Sequence, residues 1–184
     1  MERYKKNIEL LQNNNVYSKE MEHDACGVGL VASTQGKKSR EVVEYGIEAL
    51  KAVWHRGAVD ADGKTGDGAG IHLEIPKDFF IEKIEITGHK FDNAEICVGM
   101  IFLPRNNFES QETSRTIIER ELTKSNFSIY GWRQVPVNPK VLGEKADSTR
   151  PEIAQVLFRH NDIDLNGKDL ERRLYETRRK IENE

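Results

Sequence analysis

Cysteine is scarce in this 184-residue chain, with only Cys26 and Cys97. Two thiols cannot build a disulfide framework or, by themselves, a four-ligand zinc site. Proline is also sparse at five residues, and aromatics make up 8%. Charge of one sign is missing too: 28 basic against 31 acidic residues leave a formal net charge of −3. That balance, with pI ≈ 6.0, carries no electrostatic footprint for nucleic acid. Long apolar runs are absent, and nothing approaches the ~18 residues that a membrane helix needs. The first 25 residues mix Lys, Glu and Asn throughout and hold no central apolar region of the secretory kind. Mean hydropathy is −0.67. A soluble, cytoplasmic protein with no membrane or nucleic-acid partner is the expectation, and the length suffices for a real core.

Composition changes sharply along the chain. Met1 to Ala25 is polar, whereas residues 26–32 (CGVGLVA) are apolar and glycine-rich, the pattern of a buried strand. Apolar residues at Val42, Val43, Ile47, Ala49, Leu50 and Val53 predict a helix over 41–54. Residues 55–70 hold five glycines and three aspartates and must be a loop. Strands are expected over 70–75, 96–103, 128–137 and 153–158, and helices over 113–124 and 167–184. Adjacent strands without intervening helices favour α+β layers over a doubly wound parallel sheet. No internal repeat appears.

Three stretches could carry chemistry. Residues 58–65 (AVDADGKT) satisfy a relaxed phosphate-loop pattern, in which backbone N–H groups wrap phosphates and a lysine adds charge. The context is wrong, because the segment follows a helix rather than a strand. Asp60 and Asp62 also place carboxylates where anions would sit. A calcium loop fails as well, since Lys64 and Thr65 occupy positions that need a ligand and a glycine. The plain reading is a tight loop whose glycines supply positive φ.

Cys26 lies where the polar extension ends and well-patterned sequence begins. It reads either as a small hydrophobe opening a strand or as a nucleophile exposed by cleavage before it. In the second case one residue would carry a thiol and an α-amine with pKa near ~7.7–8.0, able to take the thiol proton. Cys97, between Ile96 and Val98, reads as structural. His55-Arg56-Gly57 suits a helix C-terminus. Arg56 could equally direct a guanidinium fork at a carboxylate.

Taken together, EHDACGVG (22–29) and the later His55-Arg56-Gly57 resemble the class II glutamine amidotransferases. The longer stretch HRGAVDADGKTGDGAGIHLEIPKDFF (55–80) and GWRQVPV (131–137) are similar to the glutamate synthases within that family. The resemblance covers residues from about Glu22 onward. It implies an N-terminal-nucleophile hydrolase fold, here a partial four-layer α-β-β-α sandwich. It further implies a propeptide at 1–25 and an incomplete amidotransferase domain at 26–184. Cys26 would attack the side-chain amide of L-glutamine, and Arg56 and Gly57 would help form the glutamine pocket. The ammonia released would pass to synthase domains of the same chain and add to 2-oxoglutarate. There the family uses FMN and an iron–sulfur cluster, with electrons from a small NAD(P)H-oxidising subunit or ferredoxin. No metal site or cofactor is expected within these 184 residues. The rivals are another class II amidotransferase, which the GKTGDGAG and GWRQVPV wording disfavours, and a non-catalytic domain that keeps the fold.

One departure from the family has a consequence. Class II enzymes stabilise the tetrahedral intermediate with an Asn-Gly pair on a later strand, and Asn166-Gly167 lies instead in a polar stretch resembling a turn. The oxyanion role is not assigned to it. Loss of one oxyanion donor costs about 10²–10³ in rate. A glutaminase assay of the 184-residue chain alone should therefore register little or no turnover; ordinary turnover would contradict this reading.

Overall fold

A computed structural model of the chain describes residues 6, 9–10, 27–53, 59–66 and 68–184. These fall into two compact units. One comprises those within Met1–Val59 and Gly66–Ile71; the other comprises Asp60–Thr65 and His72–Glu184.

In the first unit the principal element is helix α1 (Arg40–Ala52). Ser39 caps it, its side-chain oxygen accepting from the Val42 N–H at 3.4 Å, which satisfies one orphan donor of the first turn. Arg40 and Glu44 pair at 3.0 Å one turn apart. Val42, Val43, Ile47, Ala49 and Leu50 share a half-buried face, in line with the periodicity. Ile71 lies against this helix at Gly46, where an added Cβ would meet its Cδ1 at 3.2 Å.

The second unit is built on a sheet. After helix α2 (Lys77–Ile86) come strand β1 (Cys97–Leu103), helix α3 (Phe108–Lys124) and strand β2 (Phe127–Gln134). A short 3₁₀ turn (Pro139–Val141), helix α4 (Glu144–Thr149), strand β3 (Glu152–His160) and helix α5 (Gly167–Glu182) complete it. Among the described residues the strands form one antiparallel sheet in the order β1-β3-β2. The last strand in sequence is thus the central one. The mixed α+β class expected from the sequence is the observed one.

Because side chains alternate across a strand, β3 needs cover on both faces. Val156 and Phe158 join Cys97, Ile118, Leu122, Phe127 and Leu170 in a core between the sheet and helices α3 and α5. Leu157 faces the other way and joins Phe80, Ile84, Ile96 and Tyr130 in a second core under α2. A bulge in β2 between Ile129 and Gly131 accompanies the turn of Tyr130 toward that second core. Gly131 adopts φ +150° there, a conformation that side chains rarely tolerate. Asn107 caps α3 through its side chain, which accepts from Ser110 N–H at 2.9 Å. Arg120 on α3 bonds Glu184 at 2.6 Å and Glu121 at 3.0 Å, linking α3 to the chain just beyond α5.

Two expected strands are absent. Residues 27–32 and 70–75 form no ladder, and Val28 and Leu30 are more than nine-tenths exposed. An apolar run becomes a strand only when a sheet edge receives its N–H and C=O groups, and neither segment has such an edge among the described residues. Helix α2 was not among the expected elements, because its apolar residues Phe79, Phe80, Ile81, Ile84 and Ile86 are spread around the helix rather than gathered on one face. No helix among the described residues is long and apolar enough to cross a membrane.

Leu157, fully buried on the central strand, is the residue whose loss should be felt most. Leu157→Ala should lower unfolding stability by ~2–5 kcal/mol, measurable by urea titration. Truncation of the exposed Phe108 should change it by under ~0.5 kcal/mol.

Candidate functional site

Cys26, Arg56 and Gly57, the three residues singled out for catalysis and binding, lie outside the described residues, as does His55. The nearest described neighbours are Gly27 after Cys26, and Val53 and Val59 on either side of the turn. Gly27, Val28 and Gly29, directly after Cys26, are exposed and lie in no helix or strand. Helix α1 ends at Ala52, with Val53 as its C-cap, so the element expected to lead into the His-Arg-Gly turn is in place.

The other cysteine is placed fully. Cys97 is buried at the start of β1, and burial pushes its thiol up to about 12, with Glu95 and Glu171 adding to the shift. A thiol so reluctant to ionise is no nucleophile, and its structural reading stands.

The phosphate-loop look-alike resolves into a self-contained turn. Asp60 N–H donates to Thr65 C=O at 2.7 Å, and Gly63 N–H donates to Asp60 C=O at 2.9 Å. Asp62 Oδ1 accepts from the backbone N–H groups of Lys64 and Thr65 at 2.9 and 2.7 Å. Its Oδ2 accepts from the Thr65 hydroxyl at 2.5 Å. These are the donors that a bound phosphate would require, and the chain's own carboxylate holds them. The Thr65 hydroxyl, then the Thr65 and Lys64 amides, hold Asp62 down at about 2.

The turn is seated on the second unit's own backbone. Lys145 on α4 pairs with Asp60, and Ala146 N–H reaches the Thr65 hydroxyl oxygen at 3.4 Å. A Cβ at Gly143 would stand 2.2 Å from Asp62 Oδ2 and 2.7 Å from the Thr65 backbone nitrogen. Only glycine permits that approach. No sequence signal at Gly143 pointed to this partnership, because it joins residues 80 positions apart.

A second polar cluster, which sequence reading also missed, lies beside β2. Tyr130 donates its hydroxyl to Asp92 Oδ1 at 2.6 Å, and Arg159 Nε meets Asp92 Oδ2 at 2.6 Å. Burial opposes ionisation of Asp92, but these donors outweigh it and keep the carboxyl below its usual range. Burial, then Asp92, pushes the Tyr130 hydroxyl upward. Each polar group is used internally, so the cluster reads as a brace between β2, β3 and the α2–β1 connection. Asn166 and Gly167 form the start of α5: Asn166 is the N-cap, and its side-chain amide donates to Asp164 C=O at 2.8 Å. That is the turn read from the sequence.

The comparisons with known proteins bear on the whole chain. The family model of the class-II glutamine amidotransferases matches residues 26–184. The chain belongs to the class-II glutamine amidotransferases. The family match opens on Cys26 itself, leaving 1–25 outside it. The NADPH glutamate synthase large chain of Azospirillum brasilense is 51% identical over 179 residues, which is 97% of this chain and 12% of that protein. The ferredoxin-dependent glutamate synthase of Pyropia yezoensis is 38% identical over 175 residues, 94% of this chain and 11% of that one. Ferredoxin-dependent glutamate synthase 1 of Arabidopsis thaliana is 40% identical over 162 residues, 88% of this chain and 10% of that one. This amidotransferase chain thus spans about a tenth of the length of the curated relatives it matches.

The Asp62 carboxyl should titrate near 2 by carbon NMR, below the ordinary 3.8. Its folded value is depressed, so its contribution to stability is full above the unfolded value and fades as pH falls from about 4 through about 2. Thr65→Val, which removes the principal donor, should move the midpoint up toward the ordinary value.

Proposed function

We propose that this chain is the leading part of the glutaminase domain of a glutamate synthase, with residues 1–25 a propeptide and Cys26 the nucleophile. The observation that carries the reading is the family match beginning at Cys26, together with 51% identity to a glutamate synthase large chain.

The chemistry needs one residue to be both nucleophile and base. Once Cys26 is the N-terminus, its α-amine accepts the thiol proton and the thiolate attacks the side-chain amide carbon of L-glutamine. The tetrahedral intermediate collapses as the α-ammonium returns the proton to the leaving nitrogen. Ammonia departs and a γ-glutamyl thioester remains. Water, deprotonated by the same amine, adds to the thioester carbon, and cleavage of the C–S bond gives glutamate and restores the thiol. Arg56 offers a guanidinium fork for the glutamine carboxylate, and Gly57 leaves room beside it.

The α-β-β-α sandwich is the finer fold in this reading. The three-stranded sheet with α3 and α5 on one face supports one half of it. The other partners are the remaining synthase domains of the same chain and an electron donor, a small NAD(P)H-oxidising subunit or ferredoxin. FMN and the iron–sulfur cluster of the family do not fit the residues described here. Clusters are held by several thiolates, whereas Cys97 is buried with its thiol pushed up to about 12. Among the described residues no group of three or more His, Cys, Asp or Glu is placed to hold a metal. The Lys64 and Thr65 amides of the 60–65 turn are held by Asp62 and are not free for a flavin phosphate.

Intact-mass measurement of the full-length protein should show loss of the first 25 residues. Cys26→Ala should retain them and abolish glutamine use while sparing ammonia-dependent glutamate synthesis. If a well-folded Cys26→Ala protein lost the ammonia-dependent reaction as well, the role of Cys26 would not be confined to glutamine hydrolysis.

A further inference from the structure

Where β1 runs into α3 and α4 runs into β3, two arginines converge on one carboxylate. Arg150 Nε bonds Asp147 Oδ1 at 2.8 Å, and Arg105 Nη1 reaches the same oxygen at 3.4 Å. Both guanidinium side chains are largely covered, at 18% and 29% exposure. They line a cavity of about 460 Å³ whose lining includes no acidic residue. Asp147 is the only carboxylate that pairs with either arginine among the described residues.

The local charge is therefore unbalanced. Two guanidinium groups carry two positive charges and ten N–H donors between them. One carboxylate oxygen answers both, leaving one net positive charge and most donors without a protein partner. Partly covered cations in that condition gain from a second anion more than exposed ones do, because water screens them less. The rest of the wall is divided between polar Asn106, Asn107, Ser148 and Thr149 and an apolar side. Phe102 offers its ring to the cavity at 64% exposure, flanked by Pro104 and Pro151. Asn107 closes the cavity at the positive end of the 17-residue helix α3. Bidentate donors beside a flat apolar surface match an organic anion better than a bare ion.

We propose that this cavity binds a small organic anion, a carboxylate or phosphate attached to a flat apolar group, with Arg105 and Arg150 holding the anion and Phe102 the apolar part. Asp147 competes with the ligand for the same donors. The proposal does not depend on the reading of Cys26.

Calorimetric titration of the intact protein with phenyl phosphate and, separately, with inorganic phosphate tests the assignment. Phenyl phosphate should bind saturably and more tightly than inorganic phosphate. Arg105→Gln should weaken it by about tenfold or more, as expected for loss of a charge-assisted hydrogen bond. Asp147→Asn, which removes the competitor, should tighten binding, an outcome that damage to the fold does not produce. Arg172→Gln, on the exposed face of α5, should leave affinity unchanged and so exclude a general charge effect. Absence of saturable binding, equal affinity for the two probes, indifference to Arg105→Gln, or weakening by Asp147→Asn would each overturn the proposal.

Discussion

The second unit depends on one constraint: its central strand, β3, has no face turned to water along most of its length. Residues 154–158 are buried without interruption. Val156 and Phe158 commit one face to α3 and α5, and Leu157 commits the other to α2. Pairing on both edges, with β1 and β2, satisfies the backbone polar groups that such burial would otherwise strand. Each neighbouring element then has its place assigned. The bulge in β2 brings Tyr130 to the α2 side, and Tyr130 in turn reaches Asp92 and, through it, Arg159 at the far end of β3. The polar brace is thus a consequence of the buried strand rather than an independent feature.

How far the sequence could be read follows from the same physics. Segments 96–103 and 153–158 were legible because both faces of their strands are apolar or half-apolar, and the observed strands Cys97–Leu103 and Glu152–His160 overlap them closely. Helices α3 and α5 were legible from their period, although α3 begins at Phe108, where Asn107 provides a cap that periodicity does not register. The segments 27–32 and 70–75 misled because apolar runs specify burial but not the partner edge, and partnership is non-local. Helix α2 was hidden for the opposite reason. Its apolar residues surround the helix instead of marking one stripe, yet only Phe80 and Ile84, one turn apart, are buried.

The candidate chemistry was legible to a different degree. Cys26, Arg56 and Gly57 stood out by motif, and the family match that opens on Cys26 is what gives the first of them its weight. Local physics alone left each with an adequate structural reading. By contrast, the seat of the 60–65 turn could not be read at all, because Gly143 and Lys145 meet Asp62, Thr65 and Asp60 only after folding.

Among the described residues, two places gather donors suited to an anion, and they differ in how far the protein has already satisfied them. In the 60–65 turn Asp62 holds the Lys64 and Thr65 amides and the Thr65 hydroxyl, so the motif is complete in sequence and largely closed in structure. A ligand there would have to displace a carboxylate tethered a few bonds away, at an effective concentration no free anion reaches. At Arg105 and Arg150 the ratio is reversed, with one carboxylate serving two guanidinium groups. Glycine-rich spacing therefore says less about anion binding than the count of donors left after the chain's own acceptors are placed. That count is available only from the fold, which is why the conspicuous motif is the closed one and the open one lies where no motif points.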